Sequence, residues 1–241
     1  MIPRISVSAT RAAYVGPGLH LAPHRNSVAT IAIALDAPFI LTAPHPGTPE
    51  RRQIAIIPPG VRHHLTAGGS MAFLYLDALS DDHLQLRSVD LAAASDRILE
   101  AGPDAVADWD VDTFWRVFGM AARAPVGPRL AEAIRALDTR PEDFRRVADV
   151  AAIAGLSPSR FQAVFAEATG MPFRRYRTWR RMAVVIRALA DGRSLTEAAL
   201  ASGFSGSSHL STTFRTMFGL SPSALRKLGV QMRVVDGGHL L

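Results

Sequence analysis

The 241-residue chain has no cysteine. That excludes a disulfide scaffold, a zinc ribbon and a cysteine nucleophile together, and it fits a reducing compartment. Lysine occurs once, at Lys227, so nearly every positive charge is an arginine. Charged residues are only 20% of the chain against 48% hydrophobic, too little charge for a disordered polymer and enough apolar material for a core. Long apolar runs are missing too. The best, Val28 to Leu35, stops at Asp36, far short of the ~18–20 residues of a membrane span. The start, Met1-Ile2-Pro3-Arg4-Ile5-Ser6, lacks a secretory apolar segment. These absences predict a soluble, cytoplasmic protein with no membrane partner.

The charge that is present is divided unevenly. Residues 1–125 hold 10 arginines and 12 acids; residues 126–241 hold 17 basic residues and 9 acids. A half at −2 joined to a half at +8 suggests a polyanion-binding part attached to something else.

The first half reads as β-structure. Val28–Leu35, Phe39–Thr42, Gln53–Ile57 and Met71–Leu76 are short β-branched or aromatic runs, separated by Asp36-Ala37-Pro38, Pro58-Pro59-Gly60 and Gly68-Gly69. Strands at this spacing suggest a sandwich or barrel. Helical periodicity begins at Val89–Glu100 and continues over Val111–Ala122, with Val111, Phe114, Trp115, Phe118 and Met120 as its apolar stripe. Asp81-Asp82-His83, just before, reads as a solvated turn. Ala124-Pro125-Val126-Gly127-Pro128 reads as a linker. Helices are expected from there to about Leu228, and a loose tail over 229–241.

The basic half contains a repeat. Val147-Ala148-Asp149-Val150-Ala151-Ala152-Ile153-Ala154-Gly155-Leu156-Ser157 is echoed 48 residues later by Leu195-Thr196-Glu197-Ala198-Ala199-Leu200-Ala201-Ser202-Gly203-Phe204-Ser205. Each copy reads as helix, glycine turn, helix. Ser157 before Pro158 is placed to cap the second helix of copy one, and Ser205 that of copy two; Ser194 with Glu197 forms a capping box. Phe161, Val164, Phe165 and Ala168 share one face; Leu210, Phe214 and Met217 share the matching one. The opposite faces are left free to enter a major groove, which admits a helix. Arg174 to Ala190 joins the copies as a helix of roughly 25 Å at ~1.5 Å per residue, with arginine at 174, 175, 177, 180, 181 and 187 able to meet phosphates.

Residues from about Arg129 to Lys227 resemble the DNA-binding domain of the AraC/XylS family of bacterial transcription regulators. Three stretches carry the match: Gly155–Gln162; Thr169-Gly170-Met171-Pro172-Phe173-Arg174-Arg175-Tyr176 continuing to Arg181; and Ala198–Ser205 with Ser208–Ser211 and Phe218-Gly219-Leu220-Ser221-Pro222-Ser223. The resemblance implies two recognition helices in successive major grooves of double-stranded promoter DNA. Carried over, the base-facing positions are Ser159, Gln162 and Ala163 in the first unit and Ser207, Ser208, Ser211 and Thr212 in the second. Ser157 and Arg160 beside the first set, Arg174, Arg175 and Arg181 on the connecting helix, and Ser205, His209 and Arg215 beside the second set complete the candidate DNA-binding residues. The family often has arginine at position 163 and usually at 212. A bidentate arginine–guanine pair is worth about 1–3 kcal/mol of discrimination, so alanine and threonine there shift the burden to Gln162, Arg160, DNA shape or dimerisation.

Ile5–Leu79 more faintly resembles the cupin-like sensor domain common in the same family. Pro58-Pro59-Gly60-Val61-Arg62-His63-His64 is similar to a cupin proline-x-glycine-x-x-histidine motif, and His20-Leu21-Ala22-Pro23-His24 precedes the first good strand. The first cupin motif, with its paired His-x-His, is incomplete. His20, His24, His63 and His64 are candidates for a ligand pocket at a barrel mouth; His20, His24 and His63 are also the candidates for a metal ion, the one cofactor considered. The expected architecture is α+β and two-domain. A cupin-like β-barrel over 1–88 is followed by a helical dimerisation region at 89–124, an all-α double helix-turn-helix domain at 129–228 and a tail at 229–241. The expected function is a transcription regulator rather than an enzyme, a homodimer answering to a small-molecule effector and working with RNA polymerase in a bacterial cytoplasm. The competing readings are a metal-dependent cupin enzyme with an appended DNA-binding domain, and a DNA-binding protein without a ligand.

Overall fold

The computed structural model describes all residues except 9–10, 20–22, 43–47, 78–79, 120–125 and 236–241. The strands of the first half are β1 (Arg4–Val7), β2 (Arg11–Pro17), β3 (Val28–Ala34), β4 (Phe39–Thr42), β5 (Glu50–Arg52), β6 (Ile54–Ile57), β7 (His64–Thr66) and β8 (Ser70–Asp77). Helices α1 (Asp81–Gln85), α2 (Leu91–Ala107) and α3 (Val111–Val117) follow, then α4 (Pro128–Thr139), α5 (Val147–Ile153), α6 (Pro158–Thr169), α7 (Phe173–Ala190), α8 (Leu195–Ala201), α9 (Ser207–Phe218) and α10 (Pro222–Lys227). A last strand, β9 (Gln231–Val234), closes the described chain.

The strands form two sheets, in the orders β6-β3-β8-β2-β1-β9 and β5-β4-β7. The expected barrel is therefore an open pair of sheets among the described residues. All pairings are antiparallel except β1 with β9, which run parallel with Arg4 opposite Gln231 and Val7 opposite Val234.

β3 is buried along its whole length, which is why it reads as an unbroken apolar run rather than an alternating one. Its residues still alternate between two cores. Ala29, Ile31 and Ile33 join Leu74 and Leu76 on the face covered by Ile98 of α2 and by Phe114 and Trp115 of α3. Val28 and Ala32 join Phe73 and Tyr75 on the other face, with Phe39 and Leu65 from the smaller sheet. That second core runs on without a break into the helical half, through Phe161, Trp179, Phe214 and Phe218. At ~1.5–3 kcal/mol for each fully buried large apolar side chain, this shared core holds the two halves in one arrangement.

Several expectations change. The segment after Leu228 is not a loose tail throughout: Met232 and Val234 alternate with the exposed Gln231 and Arg233, and the first pair packs on the shared core. Asp81-Asp82-His83 is the start of α1, not a solvated turn. The Asp82 carboxylate is 1% exposed and receives both Nε and Nη2 of Arg11 at 2.8 Å, while the Arg11 guanidinium lies over Trp115 at 4.9 Å. The helix expected over 89–100 extends to Ala107, interrupted at Gly102 (φ 76°) before Pro103. The next ends at Val117, and Met120 of its stripe lies outside the described residues.

Candidate nucleic-acid interface

Both copies of the repeat fold as helix, turn, helix. In the first, α5 leads through Gly155 (φ 66°) into α6; in the second, α8 leads through Gly203 (φ 74°) into α9. A side chain at such φ is strained, so glycine lets each turn close within a few residues. Ser157 Oγ accepts from Arg160 N at 3.3 Å, the cap foreseen for α6. Ser194 and Glu197 form the foreseen reciprocal box on α8, at 3.2 and 2.8 Å. The cap of α9 differs. Its N-cap is Gly206, and Ser205 Oγ instead shares a hydrogen with His209 Nδ1 at 3.1 Å. The inner faces are as read: Phe161 and Phe165, and Leu210, Phe214 and Met217, are buried.

The outer faces collect most of the DNA-facing candidates. Ser157, Ser159, Arg160, Gln162 and Ala163 are exposed together on the first turns of α6. Ser208, His209, Thr212 and Arg215 are exposed on α9, with Ser207 and Ser211 half-buried beside them. The connecting helix behaves otherwise. Arg174 is exposed, but Arg175 donates through Nε to Asp77 Oδ2 at 2.8 Å. Arg177 Nε donates to the Pro141 carbonyl at 2.7 Å, and Arg180 lies buried beside Asp138. Arg181 donates to the Ser202 carbonyl at 2.7 Å and stacks over Phe204 at 3.7 Å. Burial, with Arg177 and Arg145 adding repulsion, pushes its pKa down to about 10. Arg175 and Arg181 thus fasten α7 to its neighbours; Arg181 supports the glycine turn of the second unit from behind. Partners 98 and 21 residues away left no mark in the local pattern.

Residues 150–228 match the family described as a helix-turn-helix domain. That stretch is a helix-turn-helix domain. It coincides with the motifs that resemble the AraC/XylS DNA-binding domain. No curated protein matches the chain. Among solved structures, the chain is similar to ToxT from Vibrio cholerae, at 12% identity over 91% of this chain and 98% of that one, with a TM-score of 0.47. It is also similar to a transcriptional regulator with an AraC-type DNA-binding domain from Chromobacterium violaceum, at 26% identity over 42% and 92%, with a TM-score of 0.39. The DNA-binding domain of AdpA in complex with a target DNA gives 26% identity over 42% and 92%, with a TM-score of 0.38.

The helix-turn-helix domain is seated on the N-terminal sheets by the far end of α9. Ser27 N donates to the Thr216 carbonyl at 2.7 Å, one of the acceptors a helix leaves unpaired at its C-terminus. Phe218 packs edge-on against Tyr75 at 5.2 Å and Trp179 at 5.8 Å. Gly219 (φ 79°) completes the fit, because a Cβ there would lie 2.3 Å from His24 Nε2. The domain therefore presents the N-terminal turns of α9 outward and keeps its last turn against the sheets.

The histidines gather only in part. His24 and His63 pair through their backbones and their rings lie 4.4 Å apart. His64 is half-buried on β7, and His20 is outside the described residues. The cavity beside His24 and His63, bounded by Phe73, Tyr75 and Phe218, is about 20 Å³. That is room for about one water, not for an organic ligand. Among the described residues no three ligating side chains come together. The two imidazoles that are described fall short by themselves of the three or four protein ligands of a zinc site, and His20, the third candidate, lies outside the described residues. His63 is buried, with Nδ1 at 3.0 Å from the Val61 carbonyl. Burial holds its pKa below the ordinary 6.5; the Val61 carbonyl pulls upward, and His24 and His64 add to the lowering. With the folded value below the unfolded one, its contribution to stability is present above about pH 6.5 and is lost as the pH falls through the folded value. We expect the urea midpoint to drop between about pH 7.5 and about pH 5, and His63→Gln to flatten that drop.

Proposed function

We propose that the protein is a sequence-specific transcription regulator that binds promoter DNA through α6 and α9. The supporting observation is the pair of exposed polar helix faces carried by one matched helix-turn-helix domain, with a buried α7 between them. A helix of 18 residues spans about 27 Å at ~1.5 Å per residue, and the two units it separates are suited to successive major-groove faces about 34 Å apart. The base-facing set is Ser159, Gln162 and Ala163 with Ser207, Ser208, Ser211 and Thr212. Ser157, Arg160, Arg174, Ser205, His209 and Arg215 sit close enough to those faces to hold backbone or base edges. The N-terminal sheets serve a regulatory rather than a catalytic role and answer to a small-molecule effector. The protein works as a homodimer, with RNA polymerase as its partner in a bacterial cytoplasm; the apolar stripe of α2 and α3 is already covered by the large sheet, so a dimer contact on these helices uses their outward faces. Among the described residues no helix is long and apolar enough to cross a membrane.

Selection of genomic fragments by the purified protein tests this, with affinity read at two salt concentrations. We expect one enriched class of site with two similar half-sites. Gln162→Ala should relax preference at one base position by about 1–3 kcal/mol, the worth of a good side-chain–base pair, and leave the salt slope unchanged. Uniform binding that fades with salt, with no preferred site, would instead fit a DNA-binding protein that reads only backbone and shape.

A further inference from the structure

The segment on which α9 is seated carries charge that the seat does not use. His24 and His63 exchange two backbone hydrogen bonds, at 3.0 and 2.9 Å, in an antiparallel bridge. The next position of that bridge sets Arg25 opposite Arg62. Side chains alternate along extended chains, so the two guanidiniums point away from the imidazoles, and both are exposed. Like charges set opposite each other repel. Arg25 donates through Nη1 to the Gly60 carbonyl at 2.7 Å. Among the described residues neither arginine takes part in an ion pair. Residues 23–27 and 58–64, which form this corner, contain no acid. In a half whose net charge is −2, this is a local excess of positive charge with nothing anionic built against it.

Its place relative to α9 gives the excess a use. Ser27 N bonds the Thr216 carbonyl at 2.7 Å, so Arg25 stands two residues from a contact with the last turn of that helix. Ser208, Thr212 and Thr216 lie four residues apart and form one exposed row along α9. The row that begins at the base-facing positions therefore ends beside the corner that bears the arginines. α9 has 12 residues, about 18 Å at ~1.5 Å per residue, and the major groove is about 12 Å wide. In helix-turn-helix docking the N-terminal residues of the recognition helix meet base edges. The far end of α9 then lies over the phosphate rim of the groove, and Arg25 and Arg62 lie there with it.

We propose that Arg25 and Arg62 bind backbone phosphates of the DNA flanking the α9 half-site, so that the N-terminal sheets form part of the DNA-binding surface. The inference rests on the function proposed above. A planar guanidinium matches a phosphate with two parallel hydrogen bonds. Phosphate contacts fix register and orientation without reading sequence. They add affinity to a protein whose positions 163 and 212 are alanine and threonine rather than arginine.

The test reads the affinity of the full chain for its selected DNA site by fluorescence anisotropy between about 0.1 and about 1 M salt. Arg25→Gln and Arg62→Gln should each reduce the slope of log affinity against log salt by about 0.9, and the double variant by about 1.8. With about 1 M as the screened reference, that is a loss of about eightfold for each at about 0.1 M. Arg25→Lys should keep most of the slope, because an ammonium still meets a phosphate as a point charge. Arg97→Gln makes the same charge change on α2, over the opposite face of the large sheet, and should leave the slope unchanged. Fragment selection with the double variant should return the same site, since no base contact is lost. Both arginines are exposed, and thermal unfolding checks that the variants fold. Arg62 has no hydrogen bond to lose among the described residues, so its variant tests the contact even if loss of the bond to Gly60 disturbs the loop of Arg25. If the parent chain binds its site and the double variant keeps the parent's slope, these arginines do not meet DNA and the regulator reading stands. A slope lowered equally by Arg97→Gln is an effect of net charge and overturns the contact as well. If the parent chain binds no DNA at all, the regulator reading falls and takes this one with it.

Discussion

Asp77→Ala is expected to lower the stability of the full chain by about 3–5 kcal/mol, the cost of breaking a buried ion pair from one side. Asp77 ends β8 with its carboxylate fully buried, and its Oδ2 receives Arg175 Nε at 2.8 Å, Arg175 Nη2, and the Trp179 indole N–H at 2.9 Å. One carboxylate thus ties the N-terminal sheet to the helix that joins the two recognition units. Removal leaves a guanidinium and an indole donor without an acceptor in a site closed on one side. Arg175 is 31% exposed, so water reaches part of the vacated charge and the loss belongs at the lower end of that range. Asp77→Asn keeps an acceptor for Trp179 but not the charge, and should cost less. A double-mutant cycle separates attraction from the penalty of the orphaned partner. Arg175→Met alone strands the carboxylate, whereas Arg175→Met with Asp77→Leu strands nothing and should recover much of the loss. The Asp77→Leu single completes the cycle, and urea unfolding followed by tryptophan fluorescence reads every variant beside the parent chain. A shift below about 1 kcal/mol for Asp77→Ala, the size of a surface pair, would mean that the tie does not hold the halves together.

This tie marks the boundary of what the sequence discloses. Features set by residues a few positions apart were legible. The β-branched run of β3, the apolar stripes of α6 and α9, the box at Ser194 and Glu197, and the 48-residue repeat all follow from local spacing. Features set by distant pairing were not. β2 is rich in alanine and ends in Gly16-Pro17, weak material for a strand by propensity. It exists because seven of its positions pair with β8, from Arg11 opposite Leu76 to Pro17 opposite Ser70. β9 meets β1 across 227 residues, and only the Met232–Val234 alternation hinted at it. The candidate site divides in the same way. Helical periodicity separates the outer positions of α6 and α9 from the inner ones. On α7, however, a run of arginines reads alike whether it faces phosphate or protein, and Asp77, Pro141, Asp138 and Ser202 decide that for Arg175, Arg177, Arg180 and Arg181. The cupin-like motif placed His24 and His63 near each other, but the filling of the space around them by Phe73, Tyr75 and Phe218 depends on three separate elements.

Adjacent positions on α9 separate stability from recognition. Phe214 is fully buried, with its ring 4.7 Å from that of Phe218, which in turn meets Tyr75 and Trp179. Phe214→Ala removes a ring from a close-packed core and is expected to cost about 3–5 kcal/mol. Phe218 is the contact through which the second unit leans on the N-terminal sheets, so the loss should loosen α9 together with its seat. Arg215, the next residue and about 100° further round the helix, is exposed. Arg215→Ala should therefore change stability by no more than about 0.5 kcal/mol, while weakening DNA binding across sequences and reducing the slope of log affinity against log salt by about 1, as loss of one phosphate contact does. The pair is read by thermal unfolding and by affinity at several salt concentrations. If Arg215→Ala binds DNA with an unchanged salt slope, the face of α9 that carries Ser208, Thr212 and Arg215 is not the one that meets DNA. If Phe214→Ala lowers DNA affinity without lowering stability, the aromatic seat positions the helix without holding it folded. The geometry predicts neither: burial and exposure alternate within one turn, so each side chain should move one measurement and leave the other's primary cause untouched.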